Sequence, residues 1–147
     1  MKKKTNLNLP SEDNNSKVLN PIFSDVTYQF VFCARYRRKI FKEFEAQAIE
    51  SHFRQELYAV EEAVGFRVCQ CRCEEERVYL TIQAPPTLSP ADIMAKIKNK
   101  TSRVIRHQIE GLSHLQGLWT RAYYVTTQAE LHADEVERFV SLQKTRS

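Results

Sequence analysis

The sequence predicts an α+β protein in which helices cover one face of an antiparallel sheet. Residues 26–33 and 77–84 alternate between apolar and polar side chains, which is typical of strands with one buried face. Residues 43–64 and 89–109 instead repeat apolar side chains every three or four positions, as amphipathic helices do. The chain has 147 residues, which is enough for one domain with its own core.

The order of the predicted elements defines the fold more closely. Gly65 is expected to end the first helix, and Ser89 with Pro90 to begin the second. Two split β-α-β units followed by an extra helix give a ferredoxin-like antiparallel sheet with helices packed on one face. The predicted elements are strand 26–33, helix 43–64, strands 66–74 and 77–84, helix 89–109, strand 118–127 and helix 133–144.

Residues 1–22 differ in composition from the rest of the chain. They are polar and rich in Lys, Asn, Ser and Asp, and such a segment cannot bury enough surface to order itself. We therefore expect a flexible N-terminal arm at 1–22 and one domain at 23–147. No run of about 18 apolar residues is present, and the N-terminus lacks the apolar segment of a signal peptide. These features favour a cytoplasmic protein that does not contact a membrane.

Three of the four cysteines are closely spaced. Strict alternation would place Cys69, Cys71 and Cys73 on one face of a strand, with Cys33 elsewhere. Three thiolates could hold a soft metal, but no fourth ligand with suitable spacing is evident. Free thiols are therefore the preferred interpretation, and neither a metal nor another cofactor is expected.

A short basic segment follows the first strand. Four cations surround one tyrosine in the run Arg35, Tyr36, Arg37, Arg38 and Lys39. Such a loop can hold phosphates and stack a base, although a solvated turn is an equally good interpretation of this segment alone.

The helix predicted at 89–109 carries its positive charges opposite its apolar stripe. No Asp or Glu lies between Asp92 and Glu110, so no local partner is expected for these cations. A solvated helix usually interleaves both signs of charge, and this arc therefore predicts binding to a polyanion. The cations of the arc are Lys96, Lys100, Arg103, Arg106 and His107.

Several sequence blocks together resemble a known family, the small single-tyrosine HUH transposases of bacterial insertion sequences, which include the REP-associated tyrosine transposases. The blocks cover much of 25–144 in consistent order, and Tyr-Arg-Arg-Lys and Trp-Thr-Arg-x-Tyr are the most specific of them. Arg121, in the second of these, joins the candidate nucleic-acid-binding residues. The blocks are 28–32, 36–39, 84–90, 118–125 and 139–143.

The resemblance implies a homodimer that binds single-stranded DNA with imperfect hairpins. It further implies a divalent metal held by a His-hydrophobe-His strand and a helical glutamine, and a tyrosine nucleophile four residues before that glutamine. Here the triplet is Arg77-Val78-Tyr79 and the nucleophile position is Phe139, while Gln143 is retained. Arg has no lone pair for a metal, and Phe has no atom that attacks phosphorus.

Three hypotheses follow from these substitutions. The first is a catalytically inactive, domesticated transposase-like protein that binds single-stranded or hairpin nucleic acid, with DNA favoured over RNA. The second is an active transposase that uses another nucleophile, such as Tyr79, Tyr123 or Tyr124. The third is a protein-interaction module that has lost both activities. By the family resemblance a homodimer is expected, and the strand predicted at 118–127 is a plausible pairing edge.

Overall fold

The computed structural model describes residues 26–43 and 45–143. The arm predicted at 1–22 lies outside these residues. Short 3-10 turns occupy 35–37 and 110–112. The strands and helices are β1 (Val26–Cys33), α1 (Ala46–Val64), β2 (Arg67–Glu74), β3 (Arg77–Ala84), α2 (Pro90–Gln108), β4 (Tyr124–Thr126) and α3 (Ala133–Ser141).

The four strands form one antiparallel sheet in the order β2-β3-β1-β4. β1 pairs with β3 along its whole length, from Val26 opposite Ala84 to Cys33 opposite Arg77. This order, with a helix after the first strand and another after the third, is that of the ferredoxin-like fold. The predicted α+β fold class is confirmed.

The two faces of the sheet bury different amounts of apolar surface. α1 and α2 pack on the face that carries the alternate residues of β3 from Val78 to Ala84, all buried. The centre of this main core is aromatic, with the Trp119 ring 4.9 Å from Phe32 and 5.7 Å from Phe53 between centroids. α3, the extra helix, lies over the opposite face, where a smaller cluster holds Val31, Cys33, Val136 and Val140.

Local signals fix the ends of both long helices. Gly65 takes φ of 102°, a left-handed conformation that suits glycine, and ends α1. The Ser89 Oγ accepts a hydrogen bond from the Asp92 backbone N–H at 3.0 Å, and Pro90 follows as the first residue of α2. Within the described residues, no helix is both long and apolar enough to cross a bilayer.

The prediction of a strand over 118–127 is wrong in extent, because only Tyr124–Thr126 pair regularly with β1. Val31 lies opposite Tyr124 and Ala34 opposite Trp119, so three steps along β1 correspond to five along the partner. The two extra residues, Arg121 and Ala122, turn their carbonyls to the Lys98 ammonium, each at 3.2 Å. At these two residues, hydrogen bonds from the Lys98 side chain of α2 therefore take the place of backbone hydrogen bonds between strands.

β2 also departs from strict alternation. The pairing with β3 shifts between Val68 and Gln70, which leaves Cys69 as an extra, exposed residue. Cys71 and Cys73 face the main core, so the prediction that three thiols share one face is wrong for Cys69. The bulge depends on the pairing with β3, which a period of two does not reveal.

Candidate functional site

Arg77 connects the sheet to α3. Its guanidinium donates to both carboxylate oxygens of Glu76 at 3.2 Å, to Glu137 on α3 at 2.5 Å and to the Tyr79 hydroxyl at 3.3 Å. The side chains of Arg77 and Glu76 are 14% and 7% exposed. This cation is directed at groups of the protein itself, so Arg77 serves as a bridge between β3 and the last helix.

The electrostatics of this bridge stabilise its charged form. Burial raises the pKa of Glu76, but hydrogen bonds from Arg77 and from the backbone, together with the charges of Arg77 and Arg37, outweigh burial and hold the pKa of this carboxyl below its usual range. Burial likewise opposes the charge on Arg77, and its hydrogen bonds to Glu76, Glu137 and Tyr79 raise the pKa above the ordinary value. Arg37 adds a second cation 3.9 Å from Glu76. The site is therefore permanently ionised at neutral pH.

Tyr79 and Phe139 lie on the same side of the sheet, as the sequence blocks imply. Both pack against the cluster formed by Val31, Cys33, Val136 and Val140. The Arg72 guanidinium covers the Tyr79 ring at 4.0 Å from its centroid, a cation–π contact that limits access to the ring.

Gln143 does not join this group. The sequence places it on the same face of the last helix as Phe139, but α3 ends at Ser141. Its amide Nε2 donates to the Phe139 carbonyl at 3.0 Å, and its side chain borders a hollow with Arg35 and Arg121.

These residues do not fit the divalent metal that the resemblance implies. Arg77 offers no lone pair, and its guanidinium stays protonated among its carboxylate partners. In the described part of the chain, no three His, Cys, Asp or Glu side chains are grouped in a way that could hold a metal ion.

The basic segment after β1 forms a tight turn with an unusual backbone. Tyr36 and Arg37 have φ of 60° and 55°, a left-handed conformation that is costly for residues with bulky side chains. The Arg38 guanidinium lies 5.8 Å from the centroid of the Tyr36 ring. Arg37 and Lys39 approach Glu76 and Glu75 at 3.9 and 3.7 Å. Part of the predicted basic loop is therefore neutralised by the hairpin between β2 and β3.

The cationic arc predicted on α2 is divided in the structure. Lys96 and Arg103 are exposed on the outer side of the helix. Lys100 lies 3.8 Å from Glu56 on α1, so the prediction that these cations have no local partner is wrong for Lys100. Sequence reasoning compared only residues of one helix and could not see a carboxylate from another.

Arg106 lies on the other flank of α2, beside a cleft. Its guanidinium donates to the Ser102 hydroxyl at 3.1 Å and to the Leu115 carbonyl at 2.9 Å, which joins the helix to the segment that follows it. The cleft has a volume of about 340 Å³ and lies between α2 and residues 116–121. Its cationic lining residues are Arg35, Lys98, Arg106 and Arg121.

Lys98 is the residue of this cleft that sequence reasoning missed. It falls between the apolar stripe and the charged arc, so its position on the helix gave no signal. Burial lowers the pKa of Lys98 to about 8, and the ammonium lies 6.0 Å from the centroid of the Phe32 ring. A lysine this close to the core is held there by the carbonyls of Arg121 and Ala122.

Comparison with known proteins gives both the class and the family. The fold matches the crystal structure of a protein assigned as a transposase from Deinococcus radiodurans R1, with a TM-score of 0.73, 18% identity and coverage of 87% of this chain and 98% of that one. It also matches a REP-associated tyrosine transposase bound to a REP hairpin, with a TM-score of 0.53, 13% identity and coverage of 77% and 61%. The architecture is therefore that of small transposase domains.

The sequence identifies the family within this class. The family model described as IS200-like transposase matches residues 22–143, and the chain belongs to that family. Transposases for the insertion element IS200 from Salmonella typhimurium strain LT2 and from Salmonella typhi are each 27% identical over 103 residues. The matches cover 68% of this chain and 65% of those proteins, so the chain spans less than two thirds of their length. The family predicted from the sequence blocks is confirmed.

Proposed function

We propose that this member of the transposase family binds single-stranded or hairpin DNA and does not cut or join it. The observation that carries the proposal is the position of Arg77. Its guanidinium lies between β3 and α3, bonded to Glu76 and Glu137, at the place where the family resemblance puts a metal ligand. The guanidinium occupies that place, offers no lone pair to a metal, and already binds the two carboxylates that could have served as ligands.

The lack of a nucleophile on α3 supports the same proposal. Phe139 presents a hydrocarbon ring, partly buried against the cluster around Val136 and Val140. Without an activated oxygen, no nucleophile is available to attack a phosphodiester. Without a metal, the charge that develops on the phosphate during cleavage is not stabilised. Binding remains, because it depends on cations and aromatic rings elsewhere on the surface. Such a protein would be a domesticated transposase that works by binding alone. Its location in the cytoplasm stays a prediction.

The test uses labelled hairpin and unstructured strands of equal length. With magnesium or manganese present, we expect salt-sensitive binding but neither a nicked product nor a covalent protein–DNA band. The IS200 transposase of Salmonella typhimurium serves as a parallel sample for cleavage. Absence of any salt-sensitive binding to DNA or RNA would contradict the proposal and favour the protein-interaction module.

A second candidate, cleavage by Tyr79, has one observation in its favour: the hydroxyl accepts a hydrogen bond from Arg77 at 3.3 Å. The other tyrosines are poorer candidates. Tyr123 packs on the main core, and the hydrogen bond from the Tyr124 hydroxyl to Glu135 raises its pKa. A covalent band lost in Tyr79→Phe, and kept in the exposed control Tyr58→Phe, would establish this second function instead.

We also propose that the protein is a homodimer. β4 is a short edge strand whose Val125 is 36% exposed, whereas the other edge strand, β2, carries a bulge that hinders pairing. Light scattering at micromolar protein and modest salt is expected to give twice the chain mass. Val125→Lys should shift the equilibrium toward monomer, and a monomer mass independent of concentration in the unmodified protein would refute the dimer.

A further inference from the structure

Several of the positively charged groups that line the cleft between α2 and residues 116–121 are held in place by contacts within the protein. The Arg35 guanidinium packs over Gly117, where an added Cβ would lie only 3.2 Å from one of its nitrogens. The Arg106 guanidinium is fixed by Ser102 and the Leu115 carbonyl. Side chains fixed before binding lose little conformational entropy when a ligand arrives.

Lys98 completes the floor of this cleft. An ammonium has three N–H groups, and two of them donate to the carbonyls of Arg121 and Ala122. The geometry thus leaves one donor for a ligand. Burial of the ammonium opposes its charge, and a bound anion would offset that cost.

The uncharged lining residues match the same chemistry. Asn99, Ser102, Gln116 and Thr120 supply amide and hydroxyl groups, and none of the described residues that line the cleft is acidic. A volume of about 340 Å³ is ample for a phosphate group with the sugar attached to it. The cleft is therefore suited to a tetrahedral anion bound by several donors.

A second hollow adjoins this cleft and shares part of its wall. Arg35, Thr120 and Arg121 line both, so these three side chains lie on the boundary between them. The second hollow, of about 470 Å³, adds the Tyr36 ring and Leu142, which is 71% exposed. A charged cleft beside an aromatic and apolar hollow is the pattern expected for a phosphate followed by its base.

We propose that the cleft lined by Arg35, Lys98, Arg106 and Arg121 binds a backbone phosphate of the nucleic acid, and that the attached base lies in the hollow against Tyr36. This inference rests on the proposed nucleic-acid binding and locates it. The main contact is then the inner flank of α2 and the turn after β1, and not the exposed face with Lys96 and Arg103.

The test compares three double variants, each of which removes two positive charges. Arg35→Gln with Arg121→Gln changes the cleft, Lys96→Gln with Arg103→Gln changes the outer face of α2, and Lys42→Gln with Arg67→Gln is a control at exposed cations outside every candidate site. We expect the cleft variant to lose at least tenfold in hairpin affinity. The slope of log affinity against log salt should also fall by about 0.7 for each single-strand phosphate that the variant no longer neutralises.

The outcomes separate this inference from the proposed function. If the unmodified protein binds hairpins but the cleft variant weakens no more than the control, the cleft is not the site. A larger loss in the outer-face variant would assign the binding to that face. If the unmodified protein binds no nucleic acid at all, the proposed function itself is wrong.

Gly117→Ala tests the cleft without changing net charge. The added methyl group would crowd the Arg35 guanidinium, which must shift by a few tenths of an ångström, and the far end of a flexible side chain can do so at little cost to stability. We expect a severalfold loss of affinity with an unchanged melting temperature. Unchanged affinity in a variant whose Arg35 is shown by NMR to have moved would overturn the assignment.

Binding should also depend on pH in a characteristic way. The titratable and charged groups around Lys98 are the guanidinium groups at 35, 106 and 121, the Tyr123 phenol, and Cys33 through the sheet. Lys98, with its pKa of about 8, loses its charge between pH 7 and 9, so hairpin affinity should fall across that range. A flat profile would argue against a direct role for Lys98.

A titration with inorganic phosphate shows whether the cleft prefers a backbone phosphate of a nucleic acid or free phosphate. Titrated alone, it should perturb the amide signals of Gly117 and Thr120 only at millimolar concentration, and a hairpin should displace it. Tight binding of inorganic phosphate that no hairpin displaces would make the cleft a site for free phosphate and refute the proposal.

Discussion

Replacing Arg77 by methionine is expected to lower the free energy of unfolding by about 3 kcal/mol, because it leaves the Glu76 carboxylate buried without its closest partner. The Glu76 side chain is only 7% exposed, and the remaining cation, Arg37, lies 3.9 Å away. Lys39→Met, which removes an exposed ion pair with Glu75, serves as the matched control and should cost less than about 1 kcal/mol. Equal losses of unfolding free energy in the two variants, measured by chemical denaturation, would show that the ion pairs of Arg77 stabilise the fold no more than an exposed ion pair does.

The same variant should reverse the pH dependence that Glu76 contributes. The pKa of Glu76 is lowered in the folded protein, so its stabilising effect is present above the unfolded pKa and is lost as pH falls through the folded one. Without Arg77, burial would raise that pKa above its unfolded value, and acidification would then relieve the buried charge. Adding Glu76→Gln to Arg77→Met should therefore recover much of the stability lost at pH 7.

Replacing Trp119 by alanine is expected to cost about 3–5 kcal/mol, because it empties the aromatic centre of the main core. The ring is 5% exposed and contacts Phe32 and Phe53 edge-on. Its indole Nε1 donates to the Thr101 hydroxyl at 2.9 Å. Thr101→Val would leave that buried donor unpaired and should cost about 1–3 kcal/mol.

A double-mutant cycle separates packing from the hydrogen bond of Trp119. Trp119→Phe removes the donor but keeps most of the ring, so adding Thr101→Val to it should cost much less than Thr101→Val alone. Denaturation at constant pH provides the measurement. Strict additivity of the two changes would show that the hydrogen bond carries no net stability.

The parts of the fold set by periodicity could be predicted from the sequence. The buried residues of β3, from Val78 to Ala84, and the cap at Ser89 follow from local spacing and residue type alone. Alternation in β3 also places positions 77 and 79 on one face, opposite the main core, whereas only the family resemblance implied that the last helix covers that face. Local patterns sufficed because each residue's environment depends on its neighbours in sequence.

Features created by distant contacts could not be predicted in this way. The carbonyls of Arg121 and Ala122 leave the ladder because Lys98, more than twenty residues earlier, binds them. Lys100 is neutralised by Glu56, a residue of another helix. The spacing of charges along the α2 sequence therefore showed the amount of positive charge correctly, but not which of those charges remain available to a ligand.

The unequal division of apolar surface between the two faces of the sheet has a consequence for motion. α3 rests on a small cluster and on the exposed carboxylate of Glu137, so it is the helix whose detachment exposes the least surface. Cys33 lies beneath it, fully buried, with a thiol pKa raised to about 11. Alkylating reagents can reach that sulfur only while α3 is displaced, so the rate at which Cys33 reacts measures the opening of the last helix in the intact protein.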